Sequence, residues 1–437
     1  MSAAPPRVLG LWTAVAIVMG NMIGSGVFLL PASLAAYRGL SIGGWLVSAA
    51  GATLLALVFA HLARRNPASG GLYAYTREAF GDVPGFLVAW GYWLSTVATL
   101  PALAVAFVGY LDPFAPGVVR SPPIAALVAL GSMWLLIGIN VAGVRPAGRV
   151  QVVTTALKIV PLLIVALGGL FYLRPEVFAL PAASDTPLPS QLLATVTLTL
   201  WAFLGLECAT IPAGSIRDPA RTIPRATIIG TTLTAIVYVL TTIGAMSLIA
   251  PEALATSTAP LADAAGGLFG AWGTRLVALG AAISCFGALN GWILIAGQLP
   301  MAVAADGLFP AALGRVTRRC TPAVAMVAAG LLASGLVAMN YTRGLVELFT
   351  FVILLSTLST LVPYVFCALA VWLLRGRSGR LGAMAPISAL AFVYAMFAIA
   401  GAGVDTVFYG FLLLLAGLPV YIWVRHARVT ARDSAAA

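Results

Sequence analysis

Charge is scarce in this chain. Of its 437 residues only 8% are Asp, Glu, Lys or Arg, against about 25% in an ordinary soluble domain. Lysine occurs once, at Lys158, and histidine twice, at His61 and His426. That scarcity excludes a soluble globular domain and a disordered chain, both of which need polar surface to meet water. Cysteine is scarce too. Cys208, Cys285, Cys320 and Cys367 lack metal or redox spacing, three of them fall in apolar stretches, and they read as small buried hydrophobes. No metal ion or other cofactor is implied. The chain has no HExxH, no GxSxG-type elbow, no phosphate loop and no paired carboxylates in apolar stretches, which argues against an intramembrane enzyme. No ring of charge marks a channel.

What the chain has is apolar length. Hydrophobic residues make up 61% of it, in about twelve stretches: 10–37, 41–62, 82–111, 123–142, 148–172, 190–214, 225–249, 272–302, 322–340, 346–373, 384–402 and 406–424. Each can cross a hydrocarbon core about 30 Å thick, so they are numbered here as spans 1 to 12. Outer-membrane barrels alternate apolar and polar residues instead. The fold class is therefore an all-α polytopic membrane protein with twelve spans. Eighteen basic residues fall on the side shared by both termini, five on the other, and Lys158 inside span 5. This bias predicts cytoplasmic termini and explains the net charge of +11 as a topology signal. The arginines are scattered two or three per connection without interleaved aromatics, so the partner is a lipid bilayer and no nucleic acid. Span 1 is too long and too broken for a signal peptide, and is expected to be retained.

Two spans are interrupted. Span 1 contains Gly20-Asn21-Met22-Ile23-Gly24-Ser25-Gly26, and glycine is a poor helix former. Span 6 contains Trp201-Ala202-Phe203-Leu204-Gly205-Leu206-Glu207, with Pro212 and Gly214 beyond. Gly24 and Gly205 are 181 positions apart. An odd number of spans separates them, so the second half runs inverted in the bilayer. Broken spans at matching places in two halves point to a binding site near the midplane. Unwound backbone is tolerated there only where protein or a watery cavity satisfies it. N–H groups at Gly24, Ser25 and Gly26 suit a carboxylate at the positive end of a half-helix. Carbonyls from Phe203 to Leu206 suit an ammonium. Together they describe a receptor for an α-amino-acid backbone. The competing reading is close helix packing at small residues.

Glu207 and Lys158 are the charged residues deep inside spans, where ionisable groups are costly and usually functional. Glu207 is a candidate proton carrier, or else a neutral group that fixes packing. Lysine can lose its proton when buried, which arginine effectively cannot. Lys158 could equally occupy the place of a bound monovalent cation, or snorkel to the inner surface. Trp201 precedes the second break and Trp292 lies on span 8 among small residues, and indole faces hold cations and aliphatic stems. Trp45, Trp372 and Trp423 read as interface anchors or packing.

At these residues the chain resembles the basic amino acid/polyamine antiporters of the amino acid–polyamine–organocation superfamily, above all the arginine/agmatine and putrescine/ornithine antiporters. Gly20–Pro31, Pro67–Tyr75, Thr199–Glu207, Ser257–Pro260, Gly291-Trp292 and Ala304–Pro310 carry the likeness in order and spacing. The resemblance implies a five-plus-five inverted repeat like that of the sodium-coupled leucine transporter. Residues 8–172 and 190–373 are the repeats, 384–425 two added helices, and 426–437 a cytoplasmic tail. It implies alternating access in a bacterial inner membrane, often as a dimer, with amino acids or amines as substrates.

The same resemblance assigns roles. The expected substrate-binding set is Ile23, Gly24, Ser25, Gly26, Thr96, Trp201, Phe203, Leu204, Gly205, Trp292 and Ser356. Ser25 and Gly26 match a carboxylate site, the stretch around Leu204 an α-amino site, and Trp292 a tryptophan that stacks on the substrate stem. Trp201 matches an outer gate. Tyr92, Glu207 and Tyr364 match an inner gate, and Tyr73 a tyrosine linked to pH sensing. Ser356 falls where a serine helps hold a guanidinium. Two departures stand out. Leu100 falls where an asparagine contacts the guanidinium, with Thr96 or Thr99 as the nearest substitutes. Lys158 is similar to the lysine of sodium-independent and proton-coupled amino acid transporters. Exchange of a basic amino acid for its amine and proton-coupled or facilitated uptake of a neutral amino acid therefore both remain open, with protons as a further partner.

Overall fold

A computed structural model describes residues 7–181, 186–341, 346–374 and 382–436, without the side chains of 346–357 and 429–436. Among them the regular structure is helical, apart from one isolated backbone bridge between Leu9 and Ile216. Each expected span has its helix. Among the described residues ten helices are long and apolar enough to cross a membrane, or eleven when the bent pair Leu11–Met22 and Gly26–Ala35 is counted as one span. The remaining stretch, span 10, is the helix Val346–Leu373.

The spans end where their sequences stop supporting a helical ladder. Arg64 and Arg65 sit in the last turn of Gly39–Arg65, where cations meet the negative helix end. Pro122 and Pro219 open Pro122–Ala142 and Pro219–Leu248, where proline's missing N–H does no harm. The helix Pro260–Ala305 runs 46 residues, too long for one straight crossing. Gly270, with φ of 63°, kinks it, so residues before the kink form an outer segment and span 8 follows.

The first half of span 1, Leu11–Met22, sits among spans 5, 7 and 8, and spans 3 and 8 pack on each other. Leu127 and Leu135 on span 4, Leu331 and Leu332 on span 9, and Leu390 and Val393 on span 11 form the exposed apolar periphery. Such a surface suits lipid rather than water. Spans 5 and 7 approach most closely at Gly169 and Gly244. A β-carbon on either would run into the other helix's backbone.

That approach predicts a contrast. Gly244→Ala should destabilise the protein by about 1–3 kcal/mol through overpacking. Gly138→Ala, in an open position on span 4, should not. Thermal unfolding in detergent checks both, and equal melting temperatures for the two variants would contradict the close crossing.

Candidate functional site

The helical ladder of span 1 stops at Met22 and restarts at Gly26, with a 45° bend between. Ile23 is non-helical (φ −79°, ψ 85°), though its N–H still reaches Met19 O at 2.8 Å. Carbonyls released at the break find donors on three other spans. Lys158 Nζ donates to Gly20 O at 2.9 Å, Ile23 O at 2.6 Å and Ser284 O at 3.2 Å. Ser284 Oγ lies 3.0 Å from both Ile23 O and Gly24 O. Tyr238 Oη lies 2.8 Å from Met22 O and 3.1 Å from Ala202 O, touching both breaks. Lys158 is fully buried, so it does not snorkel. On the donor side, Gly24 N–H is already taken by Met22 O at 3.0 Å. This corrects the expected trio of N–H groups. Among the described residues the N–H groups without a backbone acceptor shift forward to Ser25, Gly26 and Val27, at the start of the half-helix Gly26–Ala35, where no preceding turn supplies acceptors.

The second break takes a different form. After Leu188–Leu200 come a short 3-10 turn at Trp201–Phe203, an extended Leu204, and Gly205 with φ of 106°. That φ favours glycine. An α-helix does not resume until Pro219; 3-10 turns at Cys208–Thr210 and Ala213–Ser215 fill the gap. Thr210 Oγ1 bonds Glu207 O at 2.7 Å, a local bond that competes with helix. Glu207 is fully buried, and Tyr92 and Tyr364 each donate a phenol hydrogen to one of its carboxylate oxygens.

Between the breaks lies a cavity of about 530 Å³. Of the expected substrate-binding residues, Gly24, Ser25, Gly26, Trp201, Leu204 and Trp292 line it. Ile23, Thr96, Phe203 and Gly205 do not. Thr96 turns its hydroxyl onto Tyr92 O at 2.8 Å, and Phe203 packs edge-on against Trp45 and Tyr238. The Ser356 side chain lies outside the described residues. Thr99, one turn along, does face the cavity, whereas Leu100 is buried away from it. Ser95 and Thr360, hydrogen-bonded to each other, supply hydroxyls to the wall. Among the described lining residues none is charged. A charged ligand there would be balanced by backbone dipoles and aromatic faces.

Several site residues escaped the sequence reading. Asn21 lines the cavity, buried, and its amide has no hydrogen-bond partner among the described residues. Tyr238 and Ser284 hold the breaks, as above. Asn290, two residues before Trp292, bonds Gln151 Oε1 at 2.9 Å and accepts from Asn140 at 3.0 Å. Gln151 in turn reaches Ala16 O at 3.2 Å. This chain positions Trp292 relative to span 1. The available signal was a polar side chain inside an apolar span.

Tyr73 lies apart from the cavity, on the short helix Leu72–Phe80. Its hydroxyl donates to Asp306 Oδ2 at 2.9 Å. Arg77 pairs with Asp306 at 2.7 Å and Asp82 at 2.8 Å, and Arg425 with Asp82 at 3.1 Å. These pairs are about one-third exposed or more, so each is worth little by itself. Burial, reinforced by the Asp306 carboxylate, pushes the Tyr73 phenol well above its usual range.

A family model described as amino acid permease matches residues 9–420. The chain is 31% identical to the cadaverine/lysine antiporter of Escherichia coli (strain K12), over 98% of this chain and 97% of that protein. It is 28% identical to the putrescine transporter PotE of the same strain, over 96% and 97% of the two chains. The chain therefore belongs to the amino acid permease family of the amino acid–polyamine–organocation superfamily, and is a multi-span membrane transporter rather than an enzyme.

The raised Tyr73 value fixes a pH expectation. Its stabilising contribution is fully present below the phenol's unfolded value near 10 and is lost only as pH rises through the higher folded value. Tyr73→Phe should thus lower stability by about 1 kcal/mol, by the same amount at every pH from about 5 to 9. Thermal unfolding across that range checks it; a loss that varies with pH would contradict a phenol that stays protonated.

Proposed function

We propose that this transporter exchanges a basic amino acid for its decarboxylated amine by alternating access, with lysine and cadaverine as the pair. One observation carries the reading: a cavity with no charged side chain among its described lining residues lies between the start of the half-helix Gly26–Ala35 at one break and the extended Leu204 at the other. The carboxylate of an amino acid binds at Ser25 and Gly26, at the positive end of Gly26–Ala35. Its α-ammonium binds carbonyls near Phe203 and Leu204. The stem runs between Trp292 and Trp201, and the distal ammonium meets the Ser95 and Thr360 hydroxyls. An ammonium is a compact charge that single hydroxyls can satisfy, whereas a guanidinium needs a planar fork of acceptors. Leu100 offers none, which favours lysine over arginine. The likeness to a cadaverine/lysine antiporter supports the same choice.

Residues 8–172 and 190–373 act as inverted repeats, followed by the added helices 384–425 and the tail 426–437. Both termini face the cytoplasm of a bacterium, in keeping with the bias of arginines. Tyr92, Glu207 and Tyr364 close the inner side of the cavity, and their mutual hydrogen bonds part when it opens inward. Lys158 takes the place of a coupling cation at the first break, so transport needs no sodium. That geometry also favours a second reading, uptake of a neutral amino acid with Lys158 as the titrating group.

Counterflow in proteoliposomes tests both. Vesicles loaded with cadaverine should take up labelled lysine without sodium, and vesicles without internal substrate should not. Rapid leucine uptake into unloaded vesicles, driven by a pH gradient, would instead establish the second reading. Trp292→Ala should weaken lysine binding about tenfold, the loss of a desolvated aromatic contact. Lys158→Ala should leave folded protein with slowed turnover, because carbonyls of Gly20 and Ile23 lose their donor. Turnover equal to the unsubstituted protein would remove Lys158 from the cycle.

A further inference from the structure

A second cavity, of about 450 Å³, lies on the other side of the outer half-helix Gly26–Ala35. Phe28 of that half-helix bounds it, with Tyr110 at the end of span 3 and Asp112 just beyond, Thr258 before the Pro260 segment, and Thr274 at the start of span 8. Ser25 lines both cavities. The first turn of the half-helix is thus a partition with one face on each. The second cavity is on the face that carries the connections following spans 1, 3 and 7, opposite the termini.

Its chemistry selects a cation. Among the described residues lining either cavity, Asp112 alone is charged. It is exposed and enters none of the ion pairs among the described residues. The Phe28 and Tyr110 rings lie 5.9 Å apart at 56°, and aromatic faces attract organic cations. Among the described residues the connections and span ends of this face hold five carboxylates and four arginines, in a chain whose net charge is +11. A face of that sign draws cations from solution and repels anions.

We propose that this cavity is an outer binding site for an organic ammonium, a diamine or the side chain of a cationic amino acid, held by the Asp112 carboxylate against Phe28 and Tyr110. It lies one step before the central cavity, with Ser25 as the shared wall. The site rests on the cationic-substrate reading above, but occupancy of it is separable from exchange.

Equilibrium binding of radiolabelled cadaverine to the purified full-length protein in detergent tests it. The unsubstituted protein should show two classes of site, the weaker being the outer one. Asp112→Asn should weaken that class about two- to fivefold, the worth of an exposed ion pair. Asp112→Lys should abolish it and leave the tighter class intact. Asp112→Glu should keep both, and Trp292→Ala should weaken only the tighter class. A single class in the unsubstituted protein, or a weaker class that survives Asp112→Lys, overturns the proposal. Counterflow scores the exchange reading separately: two classes of site without exchange would sink that reading and leave the outer site standing.

Discussion

A helix unwound inside an apolar medium must find a partner for every peptide group it releases. In this protein that demand falls first on Lys158. Its ammonium gathers Gly20 O and Ile23 O from the end of the inner half-helix, and Ser284 O from span 8. An ammonium carries three donors on a compact centre, and three carbonyls meet it. The negative end of the half-helix favours the protonated form of that amine. Ser284 and Tyr238 complete the arrangement from spans 8 and 7. The bend in span 1 is therefore held from three sides, and the cavity exists because that bend is held.

The two breaks divide the buried ionisable side chains between them. Lys158 serves the first break, and Glu207 belongs to the second, where two phenols meet its carboxyl oxygens. The pair does not form an ion pair among the described residues. Each break is consequently stabilised by its own donors and acceptors, and no charged side chain lines the cavity between them among the described residues. What a ligand meets there is oriented backbone, hydroxyls and indole rings.

The spans were legible because apolar length is a coarse signal, and proline, glycine and arginine mark the ends. The first break was legible from its glycines, although Gly24 N–H turned out to be used by Met22. The second was legible as an interruption but not in its form. The succession of 3-10 turns from Cys208 to Ser215 depends on the Gly205 backbone and on Thr210 bonding its own neighbourhood. Thr96 and Thr99 differ by less than one helical turn, yet only Thr99 faces the cavity. That choice is made by the rotation of span 3 against its neighbours, which local sequence does not encode. Asn21, Tyr238 and Ser284 were visible as polar residues in apolar stretches. Which of them meets a broken backbone depends on contacts across more than 200 positions.

Val8 and Leu9 donate their N–H groups to Ser215 O at 2.9 and 3.0 Å, and Arg217 N–H returns to Leu9 O at 2.9 Å. Beside them, Gly70 N–H reaches Ile211 O at 3.0 Å, and Ser69 Oγ accepts from Gly214 N–H at 3.0 Å. The segment entering span 1 and the segment leaving span 6 are thereby stitched by main-chain groups. Such stitching is indifferent to side-chain identity, so it persists through most substitutions. It ties the start of the first broken span and the end of the second into one unit, so that neither end can shift without the other.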